Sequence, residues 1–128
     1  MRWLVDGMNV IGSRPDGWWR DRTGAMARLV SDLEAFAAAT GEEVRVVFDG
    51  RERDVGRQAA PHVGISFAPG GRDAADHEIA RLVEADDDPA SLTVVTSDGA
   101  LAQRVRAAGA QVVGARSFRT RLAARTKQ

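Results

Sequence analysis

Short apolar runs rich in valine alternate along this chain with longer stretches in which apolar residues recur every three or four positions. The first kind reads as strands and the second as amphipathic helices. Strands are expected at Trp3 to Val5, Val44 to Phe48, Val63 to Phe67, Leu92 to Thr96 and Gln111 to Val113. Helices are expected from about Thr23 to Ala39, Ala74 to Glu84, Ala100 to Ala107 and Phe118 to Arg125, with Gly41 and Gly109 as C-terminal stops. The strand runs are mostly unbroken, which suits strands covered by helices on both faces. The expected fold class is therefore α/β, a three-layer sandwich around a central, mainly parallel sheet.

With 128 residues the chain can bury one real core, so a single domain over 1–128 is expected, ending in a basic helix or tail at about 116–128. The absence of cysteine excludes a disulfide framework, thiolate metal sites and a cysteine nucleophile. It suits a reducing, cytoplasmic setting. No apolar run is long enough for a signal-peptide core or a membrane span, so no membrane partner is expected.

Charge changes the picture through its distribution. The 18 basic and 18 acidic residues cancel, but seventeen of the basic residues are arginine and Lys127 is the one lysine. Chemistry that needs a lysine inside a site, such as a P-loop or a Schiff base, is thereby excluded. From Arg116 onward "RSFRTRLAARTKQ" holds five basic residues and no acid. It reads equally as a phosphate contact and as a terminal helix with Phe118 and Leu122 packed inward.

Three of the strands end in the same way: "LVDG" at Asp6, "VFDG" at Asp49 and "TSDG" at Asp98. Asp-Gly is a common turn or helix-start signal, and any single pair is explained by that. In a parallel α/β sheet, however, all three fall on the carboxyl edge, where such sheets bind ligands. A further acid comes from "GGRDAADHEIARLV", where Asp73 is a natural helix N-cap and Asp76 occupies the capping-box position. At about 100° per residue, Asp76 projects onto the inward arc with Ile79, Ala80 and Val83, and capping alone does not explain that.

If Asp6, Asp76 and Asp98 converge, they must take up protons or bind a cation, because two carboxylates about 4 Å apart repel by roughly 4 kcal/mol at an effective dielectric near 20. An all-oxygen donor set that leaves room for water and phosphate favours Mg²⁺ or Mn²⁺. Such an ion activates water and neutralises a phosphodiester in flight, which is nuclease chemistry.

The residues also carry a resemblance. "VDGMNVI" after the first strand, "VVFDG" after the second, the helix start "DAADHEIARLV", and "LTVVTSDGAL" followed by a helix and "GAQVVGA" together resemble a YacP-like NYN domain of the PIN-like superfamily of metal-dependent ribonucleases. The ordered set spans nearly the whole chain. The resemblance implies internal cleavage of RNA leaving 5′-phosphate and 3′-hydroxyl ends, and metal ligands at Asp6, Asp76 and Asp98. It implies that Asn9 positions substrate or water, and that mRNA on ribosomes is the partner. Met8 stands where many members carry an aromatic residue and is expected to pack in the core.

Around that centre, Asp49 and Asp73 are assigned to a supporting shell or a second metal. Thr96 and Ser97 are candidates for orienting Asp98, with capping of the following helix as the plain alternative for Ser97. Arg14, Arg20, Arg51, Arg119 and Arg121 are the candidate RNA phosphate contacts. His77 is expected on an outer face and His62 in a loop. "SRPDGWWRDR" interleaves Trp18 and Trp19 with arginines, as RNA-stacking surfaces do, although at least one tryptophan should be buried to anchor the loop. The function expected is a metal-dependent endoribonuclease, with a non-catalytic RNA-binding module as the alternative. A phosphatase-like hydrolase with Asp6 as nucleophile ranks third, because Met8 stands where that chemistry wants a second aspartate.

Overall fold

In the computed structural model, which describes residues 1–71 and 73–126, five strands form one parallel sheet in the order β3-β2-β1-β4-β5. They are β1 (Arg2–Asp6), β2 (Glu43–Asp49), β3 (Val63–Ala68), β4 (Leu92–Val95) and β5 (Gln111–Val113). The helices are α1 (Gly7–Gly12), α2 (Arg22–Thr40), α3 (Ala74–Glu84), α4 (Gly99–Ala107) and α5 (Ala115–Thr126). The last two residues of the expected basic tail, 127 and 128, lie outside the described residues. No helix among the described residues is long and apolar enough to cross a membrane.

Side-chain alternation divides the strands between two cores. Trp3, Val5, Val44, Val46, Phe48 and Val95 face α2 and α5, where Met26, Leu33, Phe36, Phe118 and Leu122 meet them. Leu4, Val47, Ala68 and Val94 face α3 and α4, against Ile79, Val83, Leu101 and Val105. The expected sandwich is thus present, with Phe118 and Leu122 turned inward and Met8 packed partly buried against the first core. The same parity turns Asp6, Asp49 and Thr96 toward the α3/α4 face at the carboxyl edge.

The chain runs outward from β1 to β3 on one side, then restarts at β4 on the other side of β1. The crevice between β1 and β4 is therefore where the strand order reverses. At the opposite edge the Arg2 guanidinium forms a two-pronged pair with Asp86, both bonds 2.9 Å, and ties down the acidic loop that precedes β4.

Two local readings are corrected. The segment after Asp6 is a helix, α1, at a place where no helix is expected from the periodicity and Asp-Gly reads equally as a turn or a helix start. A one-and-a-half-turn helix is too short to show a hydrophobic period. The Asp-Gly glycines also serve different ends. Gly50 adopts a left-handed φ of 98°, as a turn requires. Gly7 is inside α1, and a Cβ there would stand 2.5 Å from the Phe48 ring, so close packing and not turning explains it. Gly99 opens α4 with open space around it. Gly7→Ala should accordingly cost about 1–3 kcal/mol in urea unfolding. Gly99→Ala should be neutral or stabilising by up to about 1 kcal/mol, and equal effects at the two positions would refute this distinction.

Candidate active site at the carboxyl edge

Asp6 ends β1 and is almost fully buried, with 3% of its surface exposed. Its Oδ2 accepts a 3.0 Å hydrogen bond from the Thr96 hydroxyl, across the β1/β4 crevice. Thr96 Oγ1 in turn accepts the backbone N–H of Asp98 at 3.1 Å, and Asp98 Oδ1 accepts the N–H of Leu101 at 3.1 Å, which caps α4. Thr96 therefore links the Asp6 carboxylate to the backbone of Asp98. Asn9, in the first turn of α1, accepts the N–H of Ser97 at 2.8 Å through its side-chain oxygen and holds the same loop from the other side. Ser97 does not cap α4; its hydroxyl accepts the N–H of Ala115 at the start of α5.

Asp76 reaches this group from the first turn of α3. Its carboxyl is pushed up to about 6, first by burial and then by the charges of Asp98, Asp73 and Asp49, and it shares a hydrogen bond with Asp98. Asp6 is pushed up to about 7 by burial and by the charges of Asp76 and Asp49, against the stabilising Thr96 bond. The neighbouring charges thus act pairwise, Asp76 and Asp49 on Asp6, and Asp98, Asp73 and Asp49 on Asp76.

Asp49 and Asp73 stand differently from expectation. Asp73 makes no capping bond; it sits in a left-handed backbone conformation, φ 68°, that turns the chain into α3. The cap comes from Asp49, whose Oδ1 accepts the N–H of Ala75 at 2.9 Å from the end of β2. Strand register explains the placement: Asp6 pairs with Val47, so Asp49 overhangs the rim by two residues, roughly 7 Å, and reaches the helix. The parity of "VVFD" shows that Asp49 and Asp6 share a face, but the overhang depends on the pairing.

Three clefts open on this edge. One, of about 250 Å³, is bounded by Asp73, Asp76, His77, Asp98 and Arg104. A second, of about 420 Å³, is bounded by Asp49, Asp73 and Asp76 together with Arg22 and Arg53. The third, of about 490 Å³, runs past Asn9, Ser97, Ser117 and Arg116. Arg22, the last residue of "SRPDGWWRDR", and Arg53 are not among the phosphate contacts expected from the sequence, and only the folding of α2 and the β2–β3 loop toward the rim brings them to the acids.

The arginines that were singled out divide. Arg119 is committed to structure: its Nε donates to Val10 O at 2.9 Å and to Ser13 Oγ at 3.0 Å, which satisfies the C-terminal end of α1. Arg121 lies over the buried Trp3 ring at 5.3 Å. Arg14, Arg20 and Arg51 are exposed. His77 is exposed at the cleft margin, and exposed His62 pairs with Glu34 away from the site.

The donor set suits a hard divalent cation in its chemistry. It is all carboxylate oxygen, and the buried Asp6 is held charged only against its surroundings, so a cation between the acids would relieve the repulsion. Asp6, Asp76 and Asp98 are the residues that would hold one. Among the described residues no three acidic or histidine side chains are gathered closely enough to enclose an ion.

The model of the YacP-like NYN domain matches residues 3–128. UPF0178 proteins of Xanthomonas oryzae pv. oryzae are 38% identical over 103 residues, 80% of this chain. The chain spans 59% of the length of these curated relatives. The crystal structure of Rae1 (YacP) from Bacillus subtilis superposes over 99% of this chain and 76% of that one, with a TM-score of 0.80 at 25% identity. A variant of the same protein gives 0.76 over 99% and 77%.

The burial of Asp6 has a measurable consequence. Its folded pKa, about 7, lies above its unfolded value of 3.8, so between those limits the native state keeps a proton that the unfolded chain releases. In chelator, stability should therefore fall as pH rises from about 4 to about 7. Asp6→Asn, which can still accept the Thr96 bond, should raise the urea midpoint at pH 8 by up to roughly 4 kcal/mol in stability and flatten that slope. A midpoint at pH 8 that is unchanged or lower would contradict a charged, buried Asp6.

Proposed function

Because the chain belongs to the YacP-like NYN domain family, whose fold is that of the PIN-like nucleases, we propose that it is a divalent-metal-dependent endoribonuclease. The single observation that carries this reading is that Asp76 is coupled both to the buried Asp6 and to Asp98 along the edge where the strand order reverses. Mg²⁺ or Mn²⁺, when bound, supplies a Lewis acid for the phosphodiester and a more acidic water.

The chain's own residues have defined parts in this reading. Asp6, Asp76 and Asp98 provide the oxygen donors. Thr96 fixes the Asp6 carboxylate and the Asp98 backbone relative to each other through one hydroxyl. Asn9 keeps the Thr96–Asp98 loop against α1 through its bond to Ser97 N–H. Asp49 holds the start of α3, and with it Asp76, at the rim. Arg22, Arg53 and Arg116 border the clefts on either side of the acids and suit the flanking phosphates. A pairing with mRNA on ribosomes is a proposal drawn from the family.

A metal-free RNA-binding module is the second reading, favoured by the spread of the acids, no three of which enclose an ion among the described residues. The two readings separate experimentally. In the first, Mn²⁺ raises the melting temperature of the wild type, RNA is cut internally only with metal, and the new ends carry 5′-phosphate. Asp76→Asn should lose the metal-dependent rise and at least 100-fold in cleavage rate while melting normally in chelator. Asp98→Asn should behave in the same way, since asparagine also caps helices well. RNA bound equally with and without metal and left uncut would favour the binding module; full cleavage by both variants would remove the assignment.

A further inference from the structure

The acidic rim and its clefts leave unexplained the segment that leads into α2, "GWWRDR", residues 17–22. Trp18 is partly buried against the core shared by α2 and α5. Trp19 meets it edge to face, centroids 5.9 Å apart, and is 53% exposed. Met1 is the only other large hydrophobic side chain so exposed among the described residues. The exposure is built in. Gly17, at a left-handed φ of 83°, turns the chain on one side of the pair, and on the other Asp21 Oδ1 accepts the Gly24 N–H at 3.0 Å and caps α2. With Trp18 anchored between those two fixed points, Trp19 is held out in solvent.

Cations surround the pair. The Arg20 guanidinium lies 5.7 Å from the Trp19 centroid and that of Arg22 5.9 Å from the Trp18 centroid. Neither arginine forms an ion pair among the described residues. Arg22 also borders the cleft that contains Asp49, Asp73 and Asp76, beside Arg53, whose Nη1 donates to Thr23 Oγ1 at 3.1 Å from the same helix. Outward from the carboxylates the surface therefore offers two guanidiniums and then a pair of indole rings. A nucleotide offers phosphate and then base in the same order, and an exposed ring between arginines is how single-stranded nucleic acid is held without reading its sequence.

We infer that this strip is the seat of the RNA strand flanking the cut: Trp19 stacks on an unpaired base, and Arg22 and Arg53 hold the adjoining backbone phosphates. The inference rests on the RNA-cleaving reading of the acidic rim for its orientation. It also names the substrate class, because base faces inside a duplex are covered by their neighbours and only an unpaired base can offer one to Trp19.

The test uses the whole chain in chelator, so that binding is read without cleavage. A short fluorescein-labelled single-stranded RNA should bind, and an unlabelled one should quench tryptophan emission. Trp19→Ala should weaken binding at least tenfold and abolish most of the quenching, whereas Trp19→Phe should keep most of the affinity. One abasic nucleotide at the stacked position should reproduce the loss in the wild type. A duplex of the same sequence should not quench. Arg22→Ala should weaken binding and lower the salt slope by about one. With Mn²⁺ present, Trp19→Ala should raise KM more than it lowers kcat. Wild-type affinity in Trp19→Ala, with indifference to the abasic position, overturns the inference even if cleavage is intact, and leaves the nuclease reading standing. Trp19-dependent binding without any cleavage has the opposite meaning: the stacking site survives and the nuclease reading falls.

Discussion

One hydroxyl, that of Thr96, holds the carboxyl edge of the sheet together. It donates to the buried Asp6 on β1 and accepts from the backbone of Asp98 beyond β4. β1 and β4 are neighbours in space but 90 residues apart at this bond, and the crevice between them exists because the chain reverses its direction of spread there. A carboxylate buried at such a point is unfavourable unless its lone pairs are satisfied. Thr96 satisfies one of them and fixes the distance between the first and third acidic positions. Asn9 and Ser97 extend the same network into α1 and α5, so the loop that carries Asp98 is fastened from three directions.

The other acids arrive by a different route. Asp76 is delivered by α3, and α3 is located by Asp49, which caps it from the neighbouring strand. The carboxylate set thus depends on a helix whose own start is fixed by one of its members. The ionised acids cost stability at this edge, since burial and mutual repulsion raise Asp6 and Asp76 well above the ordinary carboxylate range. Membership of the YacP-like NYN family and the likeness to Rae1 (YacP) extend over nearly the whole chain that builds this edge.

Much of this was legible in the residues. Unbroken valine-rich runs announced a covered parallel sheet, and the helical phase of Asp76 pointed it toward the side on which Asp98 and Asp49 act on it. Phe118 and Leu122 announced the packed face of α5. Other features were not legible. α1 is too short to show a period, and Gly7 resembles a turn glycine until Phe48 is seen against it. Arg119, one of several arginines in a basic stretch, turns out to serve the end of a helix more than 100 residues away in sequence.

The sequence by itself determined the fold class, the alternation that sends Asp6, Asp49 and Thr96 to one face, and the identity of the acids at the strand ends. These are local properties, set by the two-residue period of a strand and the 3.6-residue period of a helix. Tertiary structure alone decided that β4 lies beside β1, that Asp49 and not Asp73 caps α3, and that Arg22 and Arg53 stand at the acidic cleft while Arg119 does not. Each of these depends on which strands pair and in what register. Pairing is settled by burial of the whole sheet between two helical layers, and no window of neighbouring residues contains that information.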